Sequence, residues 1–240
     1  MYSLKAHESQ VKMGRIRQFW LVWMLVFLGM SCAKKPVKSI HEAAADGDIR
    51  QIQLHISQDT DVNRKNQDGQ TPLHWAAAGN HRDAAELLLG SGAEANATDN
   101  YENTPLHFAA RTGSIEVAEL LVAKGADINA EDKNGKRPLH SAAWHGQKDL
   151  VEFLVKQGAD IQLKDRYGRL PLHWAALQGH RDAAAFLIDK GADIEAEDKL
   201  GKKPLSLAIE GGHYEVVDLL REQGAEEVPP EEEQVKDFRP

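Results

Sequence analysis

Cysteine is nearly absent from this 240-residue sequence, in which Cys32 is the only one. A chain with one cysteine has no internal disulfide framework. Basic residues are a minority, with 29 Lys and Arg against 37 Asp and Glu, and the formal charge of −8 excludes a globally basic nucleic-acid-binding protein. The sequence also has no GxSxG nucleophile motif and no glycine-rich phosphate loop, which argues against the common hydrolases and nucleotide enzymes.

A motif that returns every 33 residues dominates the sequence instead. Its fullest copy, TPLHWAA, spans residues 71–77, and a weaker copy surrounds His41. Further copies begin at Thr104, Arg137, Leu170 and Lys203. A fixed period between 20 and 50 residues is typical of a solenoid, in which one small unit stacks on its own copies. The motif therefore predicts six stacked units.

Local signals within each period indicate two helices and two turns. Proline in the first turn, after a threonine that can cap, predicts an inner helix, and apolar residues at helical spacing predict an outer helix. Glycine, or Asn80 in its place, falls where a left-handed backbone is needed, with Asp59 as a departure in the first unit. Glu102 replaces the glycine of one turn, so we expect that turn to be distorted or mobile.

This combination of period, turn, TPLHxAA motif and paired helices resembles the ankyrin repeat. The resemblance covers residues 38–226 and implies an all-α solenoid with β-turn fingers. The units are expected near 38–65, 66–98, 99–131, 132–164, 165–197 and 198–226. Polar residues on the second helix of the first unit, such as Gln51, predict an end cap. Residues 227–240 are acidic and contain proline, which predicts a disordered tail.

The first 32 residues have the three parts of a secretory signal. A basic lead precedes an apolar segment from Phe19 to Met30, and Ser31 and Cys32 follow. The segment is short for a membrane span. The position of Cys32 resembles the lipobox of bacterial lipoproteins, which implies lipidation of this cysteine and removal of the peptide before it. The alternative is an ordinary signal with an unmodified cysteine, and Met13 is an alternative start.

Cleavage before Cys32 would remove four basic residues and one acidic residue, which changes the formal charge from −8 to −11. Residues 33–37 then form a short tether with two lysines near the membrane surface. Ala33 resembles an outer-membrane sorting signal. The chain is therefore expected to be an exported lipoprotein, anchored to a membrane and facing the periplasm or the cell surface.

Five histidines recur at one repeat position: His41, His74, His107, His140 and His173. Stacked helices lie about 8–10 Å apart, whereas the ligands of one metal ion lie about 2 Å from it, so this row cannot converge on a metal. The resemblance implies that each imidazole bonds the backbone of the adjoining unit. The sequence therefore predicts no metal site, no cofactor and no catalytic residues.

The ankyrin resemblance implies that partners bind to the finger tips and to the exposed ends of the inner helices. The residues expected to bind a partner are Tyr101, Asn103, Arg111, Lys133, Lys136, Trp144, His145, Arg166, Tyr167, Arg169, Leu177, Gln178, Lys199 and Lys202. Aromatic residues and arginines are enriched at interface hot spots, which favours Trp144, Tyr101, Tyr167 and Arg111 as anchors. Trp75, Phe108 and Trp174 share a position at which the family packs an apolar residue, so we expect them in the core.

Basic residues are concentrated on the last three fingers, against few acids. They are Lys133, Lys136, Arg137, Arg166, Arg169, Lys199, Lys202 and Lys203. This pattern favours a partner with an acidic patch, and the alternative is an ordinary solvated edge.

Together these features predict a monomeric, non-enzymatic binding protein that holds a protein partner at a membrane and binds no nucleic acid. An immunity or inhibitor protein for an exported enzyme or toxin is the alternative. An enzyme of the hydrolase or metal-dependent class is a further alternative, for which the sequence offers no site.

Overall fold

The computed structural model describes residues 38–226, and the predictions for residues 1–32, 33–37 and 227–240 lie outside the described residues. Twelve helices occur in the described range, in six consecutive pairs, and none of its residues is in a strand. The inner helices are α1 (Ile40–Ala45), α3 (Pro72–Ala78), α5 (Pro105–Thr112), α7 (Pro138–Trp144), α9 (Pro171–Leu177) and α11 (Pro204–Glu210). The outer helices are α2 (Ile49–Ser57), α4 (Arg82–Gly90), α6 (Ile115–Ala123), α8 (Lys148–Lys156), α10 (Arg181–Asp189) and α12 (Tyr214–Glu222).

Each inner helix after the first begins at a proline, which has no N–H group to leave unpaired. The threonine before it does not cap the helix in the expected way. In the second unit the N–H of Thr71 donates to Nδ1 of His74 at 3.1 Å, and the Thr71 hydroxyl lies 2.9 Å from the same nitrogen. The histidine therefore caps the helix that contains it, and the threonine positions the imidazole.

The outer helices are only nine residues long, and α6 shows how their apolar residues are buried. Its Val117, Ala118 and Leu121 are fully buried, and left-handed Gly125 follows its C-terminal end with φ of 84°. A helix of this length is marginal on its own in water, so its stability depends on its neighbours. No helix in residues 38–226 combines the length and apolarity that a membrane crossing requires.

The units are stacked in sequence order. Each inner helix packs on its partner outer helix and on the inner helix of the next unit, and successive outer helices also pack together. One apolar core consequently runs from Ile40 in the first unit to Leu220 in the last. The expected all-α solenoid of six helix-turn-helix units is confirmed.

Three residues other than glycine adopt a left-handed backbone, namely Asp59, Asn80 and Glu102. The expected distortion at Glu102 is wrong. Its φ of 64° is close to the values at the finger glycines, and its N–H donates to the Asp99 carbonyl at 3.1 Å, as the N–H of Gly69 does to Asn66. Glu102 adopts the turn at a conformational cost that glycine avoids.

The two ends of the stack are more polar or more exposed than its middle. Helix α2 buries only Ile52 in full, which agrees with the expectation of an end cap. At the other end Ile209 is exposed, whereas Ala176, at the equivalent position of the preceding unit, is fully buried. The difference arises because no further described unit covers α11.

Candidate partner-binding surface

Each finger is closed by the side chain at its base. In the fifth unit, Oδ1 of Asp165 accepts hydrogen bonds from the N–H groups of Tyr167 at 2.8 Å and Arg169 at 3.0 Å. Asp99, Asp132 and Asp198 make the same pair of bonds, and Asn66 makes them in the second unit. Local side-chain bonds of this kind replace the regular ladder of a longer hairpin.

Neighbouring fingers are joined to each other through their backbones. The bonds run from N–H to carbonyl between Asn100 and Asp68, Lys133 and Tyr101, Arg166 and Asn134, and Lys199 and Tyr167, at 2.8 to 2.9 Å. Several predicted binding residues therefore lie on one hydrogen-bonded edge. A partner that docks there need not order these loops, which reduces the entropic cost of binding.

The row of histidines joins units through the core, as expected. Nε2 of each histidine faces the carbonyl of the residue 29 positions later, at 3.0 to 3.2 Å. In the four units with His74, His107, His140 and His173, Nδ1 accepts from a backbone N–H at 3.1 Å. Because Nδ1 accepts a hydrogen bond, Nε2 carries the proton, and its N–H group donates a hydrogen bond to the carbonyl in the next finger.

Burial keeps these four imidazoles neutral. It lowers the pKa of His74 and of His173 to about 4 and that of His140 to about 3, and it also lowers the pKa of His107. The hydrogen bonds to backbone carbonyls act in the opposite direction but do not offset the loss of solvation. These four histidines are buried and join one unit to the next.

A second row of links, which the sequence reasoning missed, runs through the inter-helix turns. Nε2 of His81, His180 and His213 faces the carbonyl of the residue 36 positions earlier, at 2.8 to 3.0 Å. Gln147 makes the equivalent bond with its amide, to Arg111 at 3.2 Å. The signal was available, since these four positions recur at multiples of 33 residues.

The third unit has Ser114 at this position, and its hydroxyl bonds Thr112 of the same unit at 2.7 Å. Asn80 of the second unit reaches forward instead. Its side-chain oxygen lies 3.4 Å from the N–H of Val117, and its amide contacts Glu116. At the inter-helix turn, the link between these two units is therefore made by an exposed side chain.

One group of predicted binding residues comes together around Trp174, on the fourth and fifth units. We name it the cation–aromatic cluster, and its members are Lys136, Trp144, Tyr167, Arg169 and Trp174. The two indole rings have centroids 4.5 Å apart, and Tyr167 meets Trp174 edge-on at 6.4 Å. Nζ of Lys136 lies 4.3 Å from the Trp144 ring and 3.9 Å from the Trp174 ring, and Cζ of Arg169 lies 4.7 Å from Trp174. Lys136 and Arg169 therefore both make cation–π contacts with the indole of Trp174.

Two buried carboxylates lie behind this cluster. Asp165 accepts a 2.9 Å hydrogen bond from Nε1 of Trp174, and Asp198 accepts one of 2.9 Å from Nε of Arg169. Burial raises the pKa of Asp198, but the Arg169 bond and backbone N–H groups outweigh burial, so that this pKa lies below its ordinary value. Burial lowers the pKa of the Lys136 ammonium, Arg169 lowers it further, and Asp132 and Asp165 oppose both effects.

The predicted binding residues all lie on the surface or at its margin. The exposed ones are Tyr101, Arg111, Lys133, His145, Arg166, Tyr167, Gln178 and Lys199. The half-buried ones are Asn103, Lys136, Trp144, Arg169, Leu177 and Lys202. Two of the exposed residues make smaller pairs: the Arg111 guanidinium lies 4.8 Å from the Phe108 ring and Lys133 lies 6.0 Å from the Tyr101 ring.

The basic residues of the last three fingers are less free than the sequence suggested. Four of the eight form ion pairs: Arg137 with Glu131, Arg169 with Asp198, Lys202 with Glu210 and Lys203 with Glu195. Within residues 38–226, Lys133, Lys136, Arg166 and Lys199 form none. Three of these carboxylates lie six or eight positions from their partners in the sequence, and Asp198 lies 29 positions from Arg169.

Of the three residues that share the aromatic repeat position, only Phe108 and Trp174 lie in the core, and Trp75 does not. Phe108 is 8% exposed and Trp174 4%, whereas Trp75 is 38% exposed. Trp75 lines a cleft of about 350 Å³ beside the first unit, together with Lys38, His41 and Asp46. The sequence reasoning assigned Trp174 to the core and so missed that it supports the cluster.

The described residues contain no group of three or more His, Cys, Asp or Glu side chains placed to hold a metal ion.

Comparison with known proteins identifies the repeats. The family model for ankyrin repeats in tandem matches residues 40–132, 92–165 and 139–229, which together span most of the chain. No curated protein matches the chain. Ankyrin repeats are a non-catalytic family of binding repeats, which implies that the chain is a protein-protein interaction module. The chain belongs to the ankyrin-repeat family.

Proposed function

We propose that this chain is an exported lipoprotein that captures a protein partner on its fingers and inner helices and holds it at a bacterial membrane. The observation that carries the binding half is the cation–aromatic cluster, in which half-buried Lys136 and Trp144 lie beside exposed Tyr167. A few residues supply most of the binding energy in protein interfaces, and tryptophan, tyrosine and arginine are enriched among them.

The membrane half rests on the sequence alone. The apolar segment from Phe19 to Met30 leads to Cys32, and a diacylated or triacylated cysteine binds a bilayer far more durably than one chain would. Six hydrogen-bonded units would then present the partner-binding face on a stiff support, at a distance from the membrane set by a tether of residues 33–37.

Incorporation of radiolabelled palmitate tests the anchor. We expect the full chain to be labelled in a bacterial host and to fractionate with membranes, and we expect Cys32→Ser to abolish both. Label retained by Cys32→Ser, or a membrane-free wild-type chain, would contradict the anchor.

Capture of a partner from the extracytoplasmic fraction tests the binding half. We expect Trp144→Ala to release the partner, with Glu119→Ala on the exposed side of outer helix α6 as the matched control. Equal capture by both variants would show that the cluster is not the docking site.

A further inference from the structure

We propose that the cation–aromatic cluster binds a side-chain carboxylate from an extended acidic segment of the partner, between Nζ of Lys136 and the terminal nitrogens of Arg169. This inference rests on the proposed binding function and specifies the chemistry of what is bound.

Several hydrogen-bond donors of the cluster have no acceptor among the described residues. Within the described residues the Lys136 ammonium, which carries three N–H groups, makes no hydrogen bond and no ion pair. Arg169 uses only Nε, in its bond to Asp198, and its two terminal nitrogens bond no described residue. Both cations are half-buried, so water solvates them less well than it solvates a fully exposed lysine.

Lys136 and Arg169 lie against the same indole ring, and their positive charges oppose each other. Nζ of Lys136 lies 3.9 Å and Cζ of Arg169 lies 4.7 Å from the ring centroid, and burial, together with the charge of Arg169, lowers the pKa of Lys136. Asp198 pairs with Arg169. Asp132 and Asp165 attract Lys136 without forming an ion pair with it, because both accept hydrogen bonds from backbone N–H groups and Asp165 also accepts one from that indole. A carboxylate placed between the two cations would relieve their repulsion and accept several charge-assisted hydrogen bonds.

A row of cations continues from the cluster along the edge formed by the fingers. Lys133, Arg166 and Lys199 occupy the same position in three successive units, are exposed, and form no ion pair with any described residue. Stacked helices lie about 8–10 Å apart, and an extended chain advances about 3.3 Å per residue. An extended segment with an acidic residue at about every third position would therefore match the row, which a single chain-terminal carboxylate would not.

The test uses the full chain in a nonionic detergent and a fluorescein-labelled probe. The probe is a twelve-residue peptide, acetylated and amidated, with Asp at every third position and Ser and Gly elsewhere. Fluorescence anisotropy gives its Kd. We expect saturable binding that weakens with salt, Lys136→Gln to raise the Kd about tenfold, and Lys199→Gln to raise it less.

Lys124→Gln is the matched control, because Lys124 is exposed at the end of outer helix α6 and forms no ion pair with a described residue. We expect it to leave the Kd unchanged. A peptide with Asn in place of Asp should not bind. If the Asn peptide binds equally well, or if Lys136→Gln and Lys124→Gln bind alike, the proposal is overturned.

An anionic membrane surface is the competing ligand, tested with vesicles of phosphatidylglycerol and the Cys32→Ser full chain. Vesicle binding that depends on Lys136, without peptide binding, would overturn the proposal in favour of lipid. A partner still captured through Trp144 but insensitive to Lys136→Gln would overturn this inference and leave the proposed binding function intact. Failure to capture any partner would reject the binding function itself.

Discussion

The second and fifth units contain the same six residues, PLHWAA, at positions 72–77 and 171–176, yet their tryptophans differ in environment. Trp174 is 4% exposed and donates a hydrogen bond to buried Asp165. Trp75 is 38% exposed and makes no hydrogen bond with a described residue through its indole nitrogen. An identical local sequence therefore produced a supporting core residue in one unit and a surface residue in the other.

The cause lies in what surrounds the two hexapeptides. The position of Asp165 is taken by Asn66 in the second unit and that of Trp144 by Ala45 in the first unit, so Trp75 has neither the carboxylate nor the second indole. The histidines of the two hexapeptides, in contrast, behave alike. Both donate a hydrogen bond to a backbone carbonyl of the next finger, and burial lowers the pKa of both to about 4.

The largest expected effect concerns the histidines, whose environments are alike in the two units, and it appears on acidification. In the unfolded chain these histidines bind protons near pH 6.5, whereas in the folded chain His74 and His173 do so only near pH 4 and His140 near pH 3. Between the unfolded and the folded pKa of each histidine, the unfolded state binds more protons than the folded state. The free energy of unfolding therefore falls as the pH drops through this interval, by about 1.4 kcal/mol per pH unit for each histidine.

Urea denaturation at pH 7.5, 6 and 5 measures this dependence. We expect most of the stability to be present above pH 6.5 and to be lost progressively below it. His140→Gln should lower the stability at pH 7.5 and also flatten the dependence. A stability independent of pH between 7.5 and 5 would show that the row titrates normally in the fold.

The next effect concerns the tryptophans, whose environments differ between the two units. Trp174→Ala removes a buried indole and leaves Oδ2 of Asp165 without its hydrogen-bond donor. We therefore expect a loss of about 3–5 kcal/mol in the free energy of unfolding. Trp75→Ala should cost much less, since its side chain is partly solvated already. Thermal unfolding followed by circular dichroism compares the two variants. Equal losses would contradict the difference in environment.

A smaller change isolates the hydrogen bond from the packing. Trp174→Phe keeps an aromatic ring but leaves Oδ2 of Asp165 without the indole donor, which we expect to cost about 1–3 kcal/mol. Trp75→Phe is the matched variant and should be close to neutral. Denaturation midpoints at constant m-value give the comparison. If Trp75→Phe is the more damaging change, the assignment of the Asp165 bond is wrong.

The smallest effect concerns a finger between these two units. Glu102→Gly removes a side chain from a left-handed residue and should raise stability by at most about 1 kcal/mol. The reverse change in the fifth unit, Gly168→Glu, should destabilise, because a Cβ there would lie 2.9 Å from the Lys199 nitrogen. Melting temperatures of the two variants should therefore move in opposite directions.

Much of the fold follows from the sequence, because its determinants repeat. Proline at the start of each inner helix, glycine or Asn80 in the turns and the 33-residue histidine spacing each point to the same unit, and stacking follows from the apolar faces that a single unit cannot cover. The role of the histidine in capping its own helix was less accessible, since threonine is the usual cap and is replaced by Arg137, Leu170 and Lys203 in three units.

The candidate surface was predictable in position but not in detail. Repeat position alone placed Lys136, Trp144 and Arg169 at the surface margin. It could not reveal that Asp198 neutralises Arg169 from 29 residues away, or that Trp174 supports two cations, because these contacts depend on side chains that differ between units. The exposed Trp75 was missed for the same reason.

The turn that contains Ser114 has a consequence for how the second and third units are joined. The turn-to-turn bond that imidazoles or Gln147 make at the other junctions is replaced there by contacts of the Asn80 side chain. The imidazole bonds are partly buried, whereas the contact between Asn80 and Glu116 is exposed, so water competes more strongly for this link than for the imidazole links.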